Sequence, residues 1–163
     1  MEYQHIAHPI QPVYDNQSNI LILGSFPSVK SRETAFFYGH PQNRFWRVLA
    51  NIYDEVLPVT NEEKKQFLLL HHIAVWDVIQ SCDIIGSSDG SIKNAVPNDL
   101  SVILSAGNIQ KIVTNGKTAD RLYHRYLEEK TGIPAVCLPS TSPANAAWTF
   151  DKLVDVWKET LNF

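Results

Sequence analysis

The chain has 163 residues, 44% of them hydrophobic and 19% charged, with a formal net charge of −3. That is about one globular domain's worth of sequence, so we expect a single domain over 1–163 without disordered tracts. No apolar run approaches the roughly 20 residues of a membrane span, residues 1–12 lack the basic start and apolar stretch of a secretory leader, and the acidic balance speaks against an extensive basic interface.

Residues 19–23 form a continuous apolar run closed by Gly24, the pattern of a strand buried on both faces. A polar and aromatic loop follows over 25–42. From Asn43 the period turns helical, with Phe45, Trp46, Leu49, Ile52 and Tyr53 on one face. Thr60 and Glu63 have capping-box spacing ahead of Phe67, Leu68 and Leu70. Residues 72–79 read as a second strand, 87–93 as a Gly/Ser-rich loop, and 97–106 as a helix ending at Gly107. A third strand is expected at 109–114, then a sharp Asn115-Gly116 turn. Ala119, Leu122, Tyr126 and Leu127 mark a helix that stops at Gly132, and 133–138 a fourth strand. After a polar loop over 139–145, Leu153, Val154, Trp157 and Leu161 mark the last helix. Alternating strands and helices predict an α/β fold, a three-layer α/β/α domain around a mainly parallel central sheet of about four strands.

In a parallel sheet the loops that follow the strands meet at one edge. That edge receives 24–28 with 37–46, then 114–116, then 139–145. These segments carry aromatics, amides and hydroxyls but few charges. Such a surface suits a flat, polar, neutral ligand, stacked on by rings and hydrogen-bonded at its rim; a nucleobase fits.

The sequence Gly24-Ser25-Phe26-Pro27, then Gly39-His40-Pro41-Gln42-Asn43-Arg44-Phe45-Trp46, then Pro139-Ser140-Thr141-Ser142 before the last helix resembles the uracil-DNA glycosylase superfamily. It is most similar to the hypoxanthine-DNA glycosylase branch and the mismatch-specific uracil/thymine enzymes, in the same order over nearly the whole chain. In the mismatch-specific enzymes the third position of the first motif is an Asn, and the classical uracil enzymes place an Asp nearby; here the position is Phe26. The hypoxanthine branch shares that lack and uses the Asn that corresponds to Asn43.

The resemblance implies a monofunctional enzyme that hydrolyses the N-glycosidic bond of a deaminated base, hypoxanthine or uracil, flipped out of DNA in base excision repair. Asn43 would hold the attacking water through its side-chain oxygen. Tyr38 would stack on the base, and Ser25, Phe26 and Asn115 would read its edge. Ser28 and Ser140 would meet phosphates, and Ser142, Pro143, Ala144 and Asn145 would fill the gap in the minor groove. Lys30, Arg32, Arg44, Arg47 and Lys117 are the further phosphate candidates. The product would be an abasic site, with no cofactor or metal, from a cytoplasmic protein that is a monomer and meets no membrane.

Each residue also has a plainer role. Asn43 is a favoured helix cap, Tyr38 a loop anchor, Ser25 and Ser28 turn formers, Asn115 part of an Asn-Gly turn, and Ser142-Pro143 a helix start. Phe45 and Trp46 read as core. Cys82 and Cys137 either pair or serve as small buried hydrophobes. Gly116-Lys117-Thr118 fails as a phosphate loop because Lys111 stands where a glycine is needed. The histidines lack metal-site spacing. A catalytically weak lesion-binding or nucleotide-binding α/β module is the alternative.

Overall fold

The computed structural model describes residues 2–162. In chain order the elements are β1 (Gln4–Ala7), β2 (Ile20–Gly24), α1 (Val29–Thr34), α2 (Phe45–Ile52), α3 (Asn61–Leu70), β3 (Ile73–Asp77) and β4 (Ile79–Ile84). A single 3₁₀ turn (Asp89–Ser91) precedes β5 (Lys93–Pro97), α4 (Ser101–Ala106), β6 (Lys111–Asn115), α5 (Lys117–Tyr126), α6 (Glu128–Thr131), β7 (Ala135–Leu138) and α7 (Phe150–Leu161).

The central sheet runs β3-β2-β6-β7, every pair parallel. β2 lies inside it and is buried along its whole length. Side chains alternate across a strand, so Ile20 and Ile22 pack with residues of α2, α3 and α7, while Leu21 and Leu23 pack with residues of α4 and α5. Burying each of these four is worth about 1.5–3 kcal/mol, which makes β2 the spine of the fold. The three-layer α/β/α arrangement is the expected one.

A second sheet, β1-β4-β5, was not anticipated; it is antiparallel and packs into the cluster on the α4/α5 side. Residues 72–79 read as one strand because the apolar run does not stop. The chain does turn, at Val78, whose N–H donates to Gly24 O at 2.8 Å. The helix expected from 97 starts at Ser101 because Asn98, 4% exposed, gives its Nδ2 to Asp77 O and Ile79 O. The helix toward Gly132 breaks at Leu127 into α5 and α6. Residues 25–42 contain the short α1, and 87–93 the 3₁₀ turn and the start of β5.

The Thr60–Glu63 capping box forms as expected, and Phe45 and Trp46 are core. Cys82 is buried, but Cys137 is exposed and unpaired, against the expectation for it. Among the described residues no helix is long and apolar enough to cross a membrane.

Candidate active site

The carboxyl ends of β2, β3, β6 and β7 deliver Ser25, Asp77, Asn115 and Ser140 to one edge. A cavity of about 390 Å³ opens there, a size usual for small-molecule sites. Ser25, Phe26, Ser28, Tyr38, Asn43, Asn115, Ser140, Ser142, Pro143 and Ala144 all line it, so ten of the eleven expected site residues converge on one cavity. Asn145 lines the adjoining cavity instead.

Thr141, fully buried, joins three of the loops. Its Oγ donates to Asn43 Oδ1 at 2.9 Å and accepts from Asn115 Nδ2 at 3.0 Å, and its N–H donates to Asn115 Oδ1 at 3.0 Å. Asn43 Oδ1 also accepts the Phe45 N–H at 2.9 Å, so Asn43 serves the start of α2 as well as the cavity. With its oxygen bonded twice, Asn43 has only Nδ2 left to offer a ligand or water. Both ends of the Asn115 amide are likewise engaged, which leaves it one amide hydrogen. Hydrogen bonds in such a chain polarise one another, and the amide orientations follow from their donors.

The Tyr38 ring stacks on Phe45, with centroids 4.0 Å apart and planes at 23°. Its backbone is left-handed at φ 54°. Its hydroxyl is buried with no hydrogen-bond partner among the described residues. Burial pushes the phenol far above its ordinary range, and the Asp77 charge adds to this. Gly24 makes the arrangement possible: a Cβ there would lie 2.3 Å from Asp77 Oδ1 and 3.1 Å from Tyr38 Oη. Asp77 is 4% exposed, and its Oδ2 accepts from His8 Nε2 at 2.7 Å. His8 Nδ1 accepts the Ile10 N–H at 3.2 Å, which fixes the tautomer with its proton on Nε2.

Ser25 Oγ donates to Asp89 Oδ1 at 2.9 Å. Ser28 caps α1, its hydroxyl accepting the Ser31 N–H at 3.1 Å. The Phe26 side chain is core, edge-on to His8; among the described residues its N–H meets no acceptor. Ser140 Oγ accepts from Ser142 N–H, Ser142 Oγ accepts from Ala144 N–H, and Asn145 Nδ2 donates to Ser140 O. This loop is a chain of turns rather than the start of a helix.

Arg44 is the clearest departure from expectation. Its guanidinium donates to the carbonyls of Ser142, Asn145 and Trp148, so it is spent inside the protein. Arg32 is also engaged, donating to Gly86 O at 2.9 Å. Of the five cations, Lys30, Arg47 and Lys117 remain on the exposed surface.

Thr141, Asp77, His8 and Asp89 escaped the sequence reading. Only Asp77 left a local signal, as the one acid that closes a buried run at the ligand edge.

Aromatic, amide, hydroxyl and carboxyl groups thus meet in one cavity at the carboxyl edge of the sheet. Residues 11–161 match the family model described as the uracil DNA glycosylase superfamily. The chain belongs to that superfamily. It is 34% identical over 136 residues to the hypoxanthine DNA glycosylase of Methanosarcina barkeri, covering 82% of this chain and 85% of that one. It is 36% identical over 135 residues to the protein of the same name from Methanosarcina acetivorans, covering 82% and 84%. A solution NMR structure from Methanosarcina acetivorans, provisionally named a uracil DNA glycosylase, superposes with a TM-score of 0.77 at 30% identity, over 94% of this chain and 97% of that one.

Proposed function

We propose that this chain hydrolyses the N-glycosidic bond of a deaminated base, hypoxanthine or uracil, extruded from DNA. The observation that carries this reading is the Asn43–Thr141–Asn115 network set beside Tyr38 in one cavity. The names of the two Methanosarcina relatives support the substrate class.

A base must leave the stack to be reached, at a cost of about a few kcal/mol that is least for a mispair. One face of Tyr38 is covered by Phe45; the other receives the base. Asp77 Oδ1, with no protein donor among the described residues, accepts the ring N–H beside the base carbonyl. Adenine carries a lone pair at that position and is repelled. The Phe26 N–H is a donor for the carbonyl oxygen. Asn43 positions the water through Nδ2. An amide barely accepts a proton, so the water gains orientation rather than general-base help, which elsewhere is worth about 10²–10⁴-fold. Lys30, Arg47 and Lys117 meet phosphates, and the 142–145 turn fills the gap in the duplex.

The test uses metal-free protein and duplexes bearing a single hypoxanthine, uracil, xanthine or normal base, followed by hot alkali to reveal abasic sites. Cleavage at a deaminated base that is lost in Asn43→Ala supports both the class and the residue. Cleavage that survives returns Asn43 to the capping role alone. A second reading, lesion binding without excision, draws on Phe26 occupying the position where related enzymes carry an Asn; tight binding of intact lesion duplex with no abasic product would favour it.

A further inference from the structure

Two carboxyl groups line the cavity, and their surroundings differ. Asp77 is buried at the end of β3 with His8 bonded to it. Asp89 stands on the 3₁₀ turn, between this cavity and a second one lined by Lys117, Ser140 and Trp148. Ser25 Oγ donates to Asp89 Oδ1 at 2.9 Å, and among the described residues no donor reaches Oδ2. The segment that presents Asp89 is held firmly. Arg32 donates to Gly86 O, Val29 N–H to Ser87 Oγ, and Ile85 N–H to Ser91 Oγ, each at 2.9 Å.

Asp77 creates a difficulty for the chemistry. Breaking a glycosidic bond gathers negative charge on the departing base, and a fixed carboxylate beside that base makes it a poorer leaving group. A proton delivered to the base removes the conflict. Purines, unlike uracil, carry an imidazole nitrogen, N7, with a lone pair free to take it.

We propose that Asp89 is a catalytic residue, the general acid that protonates N7 of a deaminated purine as the glycosidic bond breaks. This deepens the glycosylase reading and rests on it. The Asp89 Oδ2–H bond breaks and an N7–H bond forms. The C1′–N9 pair goes to the ring, and the base departs as a neutral molecule. The oxygen of the water held by Asn43 bonds to C1′, and the proton that water releases returns through solvent to the Asp89 carboxylate.

The surroundings favour the acid form. Burial raises the Asp89 carboxyl above the ordinary carboxylate range and the Asp77 charge adds to this; the Ser25 hydrogen bond and Arg121 of α5 oppose. Tyr38 and Cys82 of β4 also face it, and Lys117 shares the second cavity. A raised carboxyl keeps its proton to higher pH, so excision that needs the acid declines as pH rises through that raised value.

The experiment pairs a protein change with a substrate change. Wild type and Asp89→Asn act under single-turnover conditions on duplexes carrying hypoxanthine or 7-deazahypoxanthine, whose N7 is replaced by C–H, across pH 5–9 as a practical range of about four units. Duplex binding and thermal unfolding of both proteins are measured alongside. The expected result is a loss of about 10²-fold for either change alone, no further loss when they are combined, and a high-pH decline that disappears in Asp89→Asn. Losses that multiply, or an Asp89→Asn enzyme with the wild-type rate and pH profile, overturn the assignment. A wild-type chain that excises no deaminated base at all overturns the glycosylase reading and this inference with it. An Asp89→Asn protein that binds and unfolds as wild type but excises neither substrate also overturns it, because the defect then does not depend on N7.

Discussion

Replacing Thr141 by Val tests whether the three-loop network positions Asn43. Valine matches threonine in shape but lacks the hydroxyl, so two hydrogen bonds disappear, one to Asn43 Oδ1 and one from Asn115 Nδ2. The Asn43 oxygen keeps the Phe45 N–H as a partner. Asn115 Nδ2 loses its acceptor, although the Asn115 oxygen still accepts the Thr141 N–H. The loss is therefore one ordinary bond, about 1 kcal/mol, and one stranded amide N–H, about 1–3 kcal/mol, or about 2–4 kcal/mol together. For a chain of this size that lowers Tm by about 4–16 °C, short of unfolding it at room temperature. Catalysis suffers as well, because Asn43 loses one of its two anchors; a misplacement of about 1 Å costs about 10²-fold. Single-turnover excision beside urea unfolding should show kcat down about 10–100-fold with duplex binding unchanged, and Thr141→Ser close to wild type. Wild-type turnover in Thr141→Val, or Thr141→Ser as damaged as Thr141→Val, would refute the positioning role.

Tyr38→Phe removes a buried hydroxyl with no partner among the described residues, so it should leave excision intact and raise stability by up to about 1 kcal/mol in chemical denaturation; a marked loss of excision would mean the hydroxyl meets the substrate. His8→Ala removes the hydrogen bond that the buried Asp77 carboxylate accepts and should destabilise by about 1.5–3 kcal/mol, with His8→Ala/Asp77→Leu recovering stability but not excision. With three cations left to meet phosphates, the logarithm of duplex affinity should fall with the logarithm of salt at a slope of about −3; a slope twice as steep would show phosphate contacts elsewhere on the surface.

The central layer was legible in the sequence because it rests on local signals. The apolar run over Ile20–Gly24 and the repeats in Phe45–Ile52 and Phe150–Leu161 each announce their burial without reference to distant residues. The second sheet was hidden by continuity: nothing in Asp77-Val78-Ile79 marks the turn that separates β3 from β4. The resemblance brought most of the cavity wall together, yet it concerned which residues meet a ligand and not which residues they meet first. Thr141 is one hydroxyl in a run of three, and it is distinguished by bonds to residues 98 and 26 positions away. Arg44 looked like a phosphate contact for the same reason, since a cation's sequence neighbours do not reveal three carbonyls folded around it. His8 precedes the region that matches the family model, so no shared motif pointed to it.

The guanidinium of Arg44 has a consequence for how such a chain would search a genome. By gathering the carbonyls of Ser142, Asn145 and Trp148 it holds the turn that we propose enters the duplex in one shape before any duplex is present. The entropy of ordering that turn is then met during folding and not at each encounter with DNA. The same choice withdraws a positive charge from the surface of a chain whose net charge is already −3, so attraction to DNA from a distance would be weak and residence on undamaged DNA short. Recognition then falls to what a stiff edge can test at close range, the ease with which a pair comes apart, rather than to a field that holds the protein on the duplex while it looks.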